Sequence, residues 1–158
     1  MNYLIDQLNA GYLKVVGLYQ QLSILAQSMA TSLERGKWEG VHEQLREKQV
    51  IMDTIDAKEA ELSQVRERLK QKLGLEEFSL SALPNQPSVS ELNATIAQLL
   101  DVIGELQKWE KNNEGMLQKL VEDVQGQIED FSLSKRAAKA YSPRSERHGE
   151  ARFVDEKK

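Results

Sequence analysis

Residues 2–35 read NYLIDQLNAGYLKVVGLYQQLSILAQSMATSLER, and the placing of their apolar side chains decides the fold. Leu4, Leu8, Val15, Leu18, Leu22, Leu25 and Met29 recur at alternating spacings of three and four residues. That is the repeat of one face of an α-helix. Gly11 takes the one slot missing from the series, and Tyr12 beside it is large enough to cover the gap. Gly11 and Gly17 each weaken the helix by about 1 kcal/mol relative to Ala. In the sequence alone they read as mild local weak points rather than as sites of close helix approach. A helix with a single apolar stripe must bury it against another element, so the rest of the chain is read for partners.

A second helix follows over about 37–74, with Trp38, Val41, Leu45, Met52, Ile55, Leu62, Leu69 and Leu73 as its stripe and Val65 slightly off register. Lys48, Glu59 and Arg66 interrupt that seam. Glu43 with Arg46, Lys58 with Glu61 and Glu67 with Lys70 are opposite charges three residues apart, worth a few tenths of a kcal/mol each. Gly36 is the only joint between the two helices, and so short a joint makes them antiparallel neighbours. Gly74 is placed to stop the second helix. Residues 75–88 then read as a loop, because Pro84 and Pro87 do not fit a helix interior and Ser79, Ser81 and Asn85 favour turns. Leu75, Phe78, Leu80 and Leu83 predict that this loop folds back over the end of the bundle. A third helix is expected from Ser88, which with Glu91 has the spacing of a capping box, to about residue 133. Its stripe runs from Val89 and Leu92 to Ile128 and Phe131, broken near the middle by Trp109, Glu110 and Asn113. Asn113 fits both a polar seam position that fixes register and a half-exposed flank. Trp38 and Trp109 are read as core or seam residues.

The expected fold is therefore all-α: an elongated antiparallel bundle of three long helices with coiled-coil-like packing. Residues 1–133 form the bundle, and residues 134–158 form a partly flexible polar tail with room for a short fourth helix over Ser134–Tyr141. The second helix, about 38 residues, spans about 57 Å. Folding it through both connections sets the first helix beside the third at an offset of about 92 residues. Residues beyond about 126 then outrun the turn at Gly36, leaving Ile128 and Phe131 apolar and poorly covered.

Composition narrows the function. The chain has 158 residues, 40% apolar and 29% charged, with three prolines and no cysteine. Disulfides, thiolate nucleophiles and thiolate zinc sites are excluded. The net charge is −4. Residues 133–158 carry eight basic and four acidic side chains, so the body is acidic and gives no reason to expect nucleic-acid binding. The start, Met1-Asn2-Tyr3-Leu4-Ile5-Asp6, has no basic leader region, and no apolar run approaches a membrane span. The expectation is a cytoplasmic protein without membrane insertion. The only histidines are His42 and His148. His42-Glu43 opens like a zinc-protease motif, but Arg46 stands where a second His is needed. Glu39 and His42 have the Glu-x-x-His spacing of di-metal bundles, without the required second copy. No glycine-rich phosphate loop is present and no serine has a plausible His partner. The reading is no enzyme, no metal and no cofactor.

Three stretches carry a resemblance. They are Trp38-Glu39-Gly-Val-His-Glu-Gln-Leu45-Arg-Glu-Lys48-Gln, then Glu105-Leu106 with Lys111-Asn112-Asn113-Glu-Gly-Met116-Leu117, and the ending Ala140-Tyr141 with Arg152-Phe153-Val154-Asp155-Glu-Lys157-Lys158. Together they resemble the FlgN family of flagellar export chaperones. The resemblance covers most of the chain on short, degenerate motifs, the tail and the Asn113 segment being the more specific. It implies a non-enzymatic cytoplasmic chaperone of flagellar type III secretion. Such proteins bind hook-filament junction (hook-associated) proteins by their terminal helices before export and deliver them to the export apparatus. An amphipathic cargo helix in an apolar groove suits that role. The implied partner-binding residues are Leu117, Leu120, Val124, Ile128, Phe131 and Tyr141, with Leu120 and Val124 equally suited to the core. Monomer and weak homodimer stay open. Two other readings compete: a self-associating coiled-coil scaffold, for which the stripe is an oligomer seam, and a FliT-like chaperone for the filament cap protein.

Overall fold

The computed structural model describes residues 1–141, and the expectations for His148 and the Arg152–Lys158 motif lie outside them. Three α-helices follow in order: α1 (Asn2–Glu34), α2 (Trp38–Leu73) and α3 (Pro87–Ala140), with a 3-10 turn at Leu80–Ala82 before α3. No strand occurs among the described residues. Backbone contacts divide the chain into two compact units, Met1–Met116 and a second that begins at Leu117.

Two glycines end the first two helices in the same way. Gly36 and Gly74 have φ of 65° and 64°, a left-handed conformation open to a residue without Cβ. Around each, the following amide reaches back to close the last turn: Lys37 N to Ser32 O at 2.9 Å, and Leu75 N to Lys70 O at 3.1 Å. The start of α3 differs from expectation. Ser88 is not its cap: the amides of Val89 and Ser90 donate to the carbonyl of Gln86 at 3.0 and 3.1 Å. Pro87 is the first helical residue, a position where its fixed φ fits and its missing N–H costs nothing. The end differs too. The helix continues past residue 133 to Ala140, and Ser134–Ala140 is its last two turns rather than a fourth helix. Ala, Lys and Arg are good helix formers, and the basic residues favour the negative end of the helix dipole.

In the first unit, α1 and α2 are the close pair. A Cβ built on Gly11 would stand 2.3 Å from Leu62 Cδ2, so Leu62 fills the space that a side chain at position 11 would need. Gly11 is thus a site of close approach, correcting its reading as a weak point. Gly17 has nothing within 4 Å and is a weak point as expected. Gly17→Ala is therefore predicted to stabilise the protein by up to about 1 kcal/mol in thermal or urea unfolding. One core cluster is centred on Ile5, Leu8, Leu69 and Leu92, all fully buried, and the loop residues Phe78, Leu80 and Leu83 pack on it. The loop covers that end as predicted. A smaller cluster joins Leu22, Ala26, Ile55 and Leu106, with Ile51 and Trp109 against it.

Cross-helix polar bonds set the register. Gln86 Nε2 donates to Asn2 Oδ1, Thr95 Oγ1 to Asn9 Oδ1, and Asn113 Nδ2 to the Ala26 carbonyl, at separations of 84, 86 and 87 residues. These offsets are shorter than the expected value of about 92, because the loop crosses the end of the bundle and descends again before α3 begins. Asn113 is buried, which decides for the seam position. Arg66 also lies inside the seam region: its guanidinium donates to Tyr12 Oη and Glu59 Oε1, both at 2.6 Å. Burial opposes its charge, but the Glu59 hydrogen bond and Tyr12 outweigh that and hold its pKa above the ordinary value. Two of the three opposite-charge pairs spaced along α2 close, Lys58–Glu61 and Lys70–Glu67. The Lys58 hydrogen bond holds the exposed Glu61 carboxyl below its usual range.

Asn113 Oδ1 is buried without a partner. Asn113→Leu removes an unmet acceptor, which favours the change, and takes the Asn113 donor from the Ala26 carbonyl, which opposes it, so the two effects partly cancel. The expected result is a midpoint of unfolding within about 1 kcal/mol of the parent. The specificity of the α1–α3 register should fall instead, read as broadened amide resonances of residues around Ala26.

Candidate functional site

The second unit holds the candidate site. From Leu117 to Ala140 no residue of α3 is buried. Leu117 and Leu120 are half-buried, while Val124, Ile128 and Phe131 are 42%, 62% and 71% exposed. At 100° per residue these five share one side of the helix. The helix therefore brings together five of the six residues singled out in the sequence. Val124, one of the two that also suited the core, is on the surface. Tyr141, 89% exposed, stands just past the last helical residue and about 80° around the axis from Phe131. The helix does not carry it onto the stripe.

Val121 was missed. It is 50% exposed and lies on the same side, four residues after Leu117 and three before Val124. The signal was the i+4 relation to Leu117, masked because Leu120 already filled the three-residue step. Four large apolar side chains in succession at helical spacing, all open to solvent, form a face that soluble proteins keep for binding. Its chemistry is apolar association. The groups needed for proton transfer, nucleophilic attack or metal ligation are not among these residues. Among the described residues no group of three or more His, Cys, Asp or Glu could hold a metal ion, and His42 is exposed on α2.

The first unit has a second apolar feature, which the sequence did not indicate. An open groove of about 270 Å³ is lined by Tyr19, Leu22, Met52, Ile55, Ile103 and Leu106, with Lys48 and Glu110 at its edge. Those two charges, read from sequence as breaks in two separate seams, form one ion pair at 2.6 Å. Trp38, Leu45 and Met52 were expected in the core, yet they are 49%, 45% and 41% exposed. Their row, at seven-residue steps on α2, lies beside the buried row Val41, Ile55, Leu62, Val65 and Leu69 that meets α1. This adjacent row is left half-open to solvent. Val65, read as off register, is in the core, and Trp109 is half-buried against the second cluster.

The described residues form an all-helical bundle whose α3 carries an open apolar face. The family model described as FlgN protein matches residues 1–149, and the chain belongs to that family. The FlgN family is one of flagellar export chaperones. No curated protein and no solved structure matches the chain. Among the described residues no helix is long and apolar enough to cross a membrane.

Proposed function

We propose that this protein is the cytoplasmic chaperone of the hook-filament junction proteins, holding their terminal helices before export and handing them to the export apparatus. The observation that carries the reading is the stripe Leu117, Leu120, Val121, Val124, Ile128 and Phe131 on the part of α3, Leu117 to Ala140, that has no buried residue. An amphipathic helix laid along such a stripe buries anchors at i, i+3, i+4 and i+7. Burying one Ile or Phe side chain contributes about 1.5–3 kcal/mol, so net affinity after the cost of association requires the whole row of anchors rather than one or two of them. Tyr141, which belongs to the stretch that resembles the family's ending, is proposed as a contact at the margin of the same site. The role needs no cofactor and no catalysis.

The test is selectivity of capture. The purified protein is mixed with the C-terminal helical segment of a hook-filament junction protein, and separately with that of the filament cap protein, from the same genome. Co-elution with the first and not the second is expected. The reverse pattern assigns the cargo to the filament cap and overturns the reading.

A further inference from the structure

We propose that α3 opens at Gly104: the segment 105–116 lifts away from α1 and α2 as a unit, while the end of the first unit closed by the loop stays packed. The first unit is unevenly filled along its length. Among the described residues, the fully buried side chains Ile5, Leu8, Leu69 and Leu92 all belong to the loop end. The buried polar atoms without a partner, Ser23 Oγ, Gln44 Oε1 and Asn113 Oδ1, all lie toward the Gly36 end. The open groove beside Leu22, Ile55 and Leu106 lies there too. α3 divides in the same way. Before Gly104 it buries Val89, Leu92, Thr95 and Leu99; from there to Met116 it buries only Leu106 and Asn113.

A buried polar group without a partner gains hydrogen bonds to water when its segment opens. A segment with few buried apolar side chains opens at lower free energy than the whole. The other ties of 105–116 are slight. Trp109 is half-buried, and the Asn113 amide makes one hydrogen bond, to the Ala26 carbonyl at 2.9 Å. Glu110 pairs with Lys48, but both side chains are partly exposed, and such a pair contributes little. Gly104 places the bend. It separates Ile103, packed on the larger cluster, from Leu106 of the smaller. A glycine weakens a helix interior relative to an alanine. A Cβ built on Gly104 would meet nothing within 4 Å, so packing does not require a glycine there. Opening uncovers Leu22, Ala26 and Leu106, and the first unit gains an apolar face that it lacks when closed.

Native-state hydrogen exchange of the full chain tests this. Amides of residues 106–114 are expected to exchange at least about tenfold faster than those of 92–100. Gly104→Ala should slow the faster set several-fold, because the bend loses its weak point. Gly17→Ala, on a helix that stays folded during the opening, should slow only the slower set, which exchanges through unfolding of the whole unit. Equal protection on the two sides of Gly104 overturns the proposal. So does equal slowing of 106–114 by Gly17→Ala and Gly104→Ala, the result expected if global unfolding alone exposes these amides. Because the chain has no cysteine, a single introduced thiol gives a second reading. Ala26 and Val16 are similarly buried, at 6% and 3% exposure. Ala26→Cys, beneath the segment, should react with a thiol reagent faster than Val16→Cys, and more slowly once Gly104→Ala is added. Equal rates for the two thiols overturn the opening. A rate at Ala26→Cys that Gly104→Ala leaves unchanged overturns the bend at Gly104.

Discussion

The double substitution Ile128→Asp with Phe131→Asp is expected to abolish cargo binding while leaving the helical content of the protein unchanged. The two side chains are 62% and 71% exposed in the free protein, so folding gains little from them and loses little when they are replaced. Binding gains much. Burying both contributes about 3–6 kcal/mol, and a carboxylate left in their place must be desolvated against an apolar partner. Loss of even about 4 kcal/mol lowers affinity roughly a thousandfold. Circular dichroism and the unfolding midpoint should match the parent within about 0.5 kcal/mol, as for other surface substitutions. Normal binding by a folded variant removes the stripe as the cargo site. An unfolded variant shows that the stripe is structural.

Gly11→Leu is expected to be the most damaging single change in the first unit. Leu62 is 2% exposed, and its Cδ2 already occupies the place where the first side-chain carbon would go. A leucine adds three further carbons to that space, so α1 and α2 must separate or Leu62 must leave the core. Overpacking of this kind costs about 3 kcal/mol or more, which exceeds the gain of about 1 kcal/mol in helix propensity. The midpoint in urea should fall accordingly. Adding Leu62→Ala should recover a large part of the loss, because the contact and not the helix is at fault. Equal stability of Gly11→Leu and Gly17→Leu would contradict the close approach.

These two cases mark what the sequence could and could not reveal. The three helices were legible because each carries a long apolar stripe and is bounded by Gly36, Gly74 or the Pro84–Pro87 stretch. The depth of packing was not. Periodicity gives every position in a stripe equal weight, yet Val41 is buried while Trp38, Leu45 and Met52 are half-open. That difference depends on tertiary packing around each side chain, which no local pattern encodes. Gly11 shows the same limit in reverse: an absent side chain is invisible as a contact until the partner Leu62 is placed. The extra turns of α3 from Ser134 to Ala140 were hidden because they carry helix formers without an apolar stripe. The exposed stripe of α3 was better marked. Ile128 and Phe131 stood out because the length arithmetic left them nothing to pack against, a conclusion that survived a register error of more than a turn. Val121 was lost to a fixed alternation of threes and fours that α3 relaxes at this point. Asn113 was ambiguous until its bond to the Ala26 carbonyl fixed it in the seam.

The open stripe of α3 is proposed to bind the terminal helices of hook-filament junction proteins. The most direct measurement is calorimetric titration of the purified full chain with the C-terminal helical segments of the two hook-filament junction proteins from the same genome. Saturable 1:1 binding in the micromolar range or tighter is expected, with no heat from the Ile128→Asp, Phe131→Asp variant. No heat and no co-elution with the folded parent protein would contradict the claim.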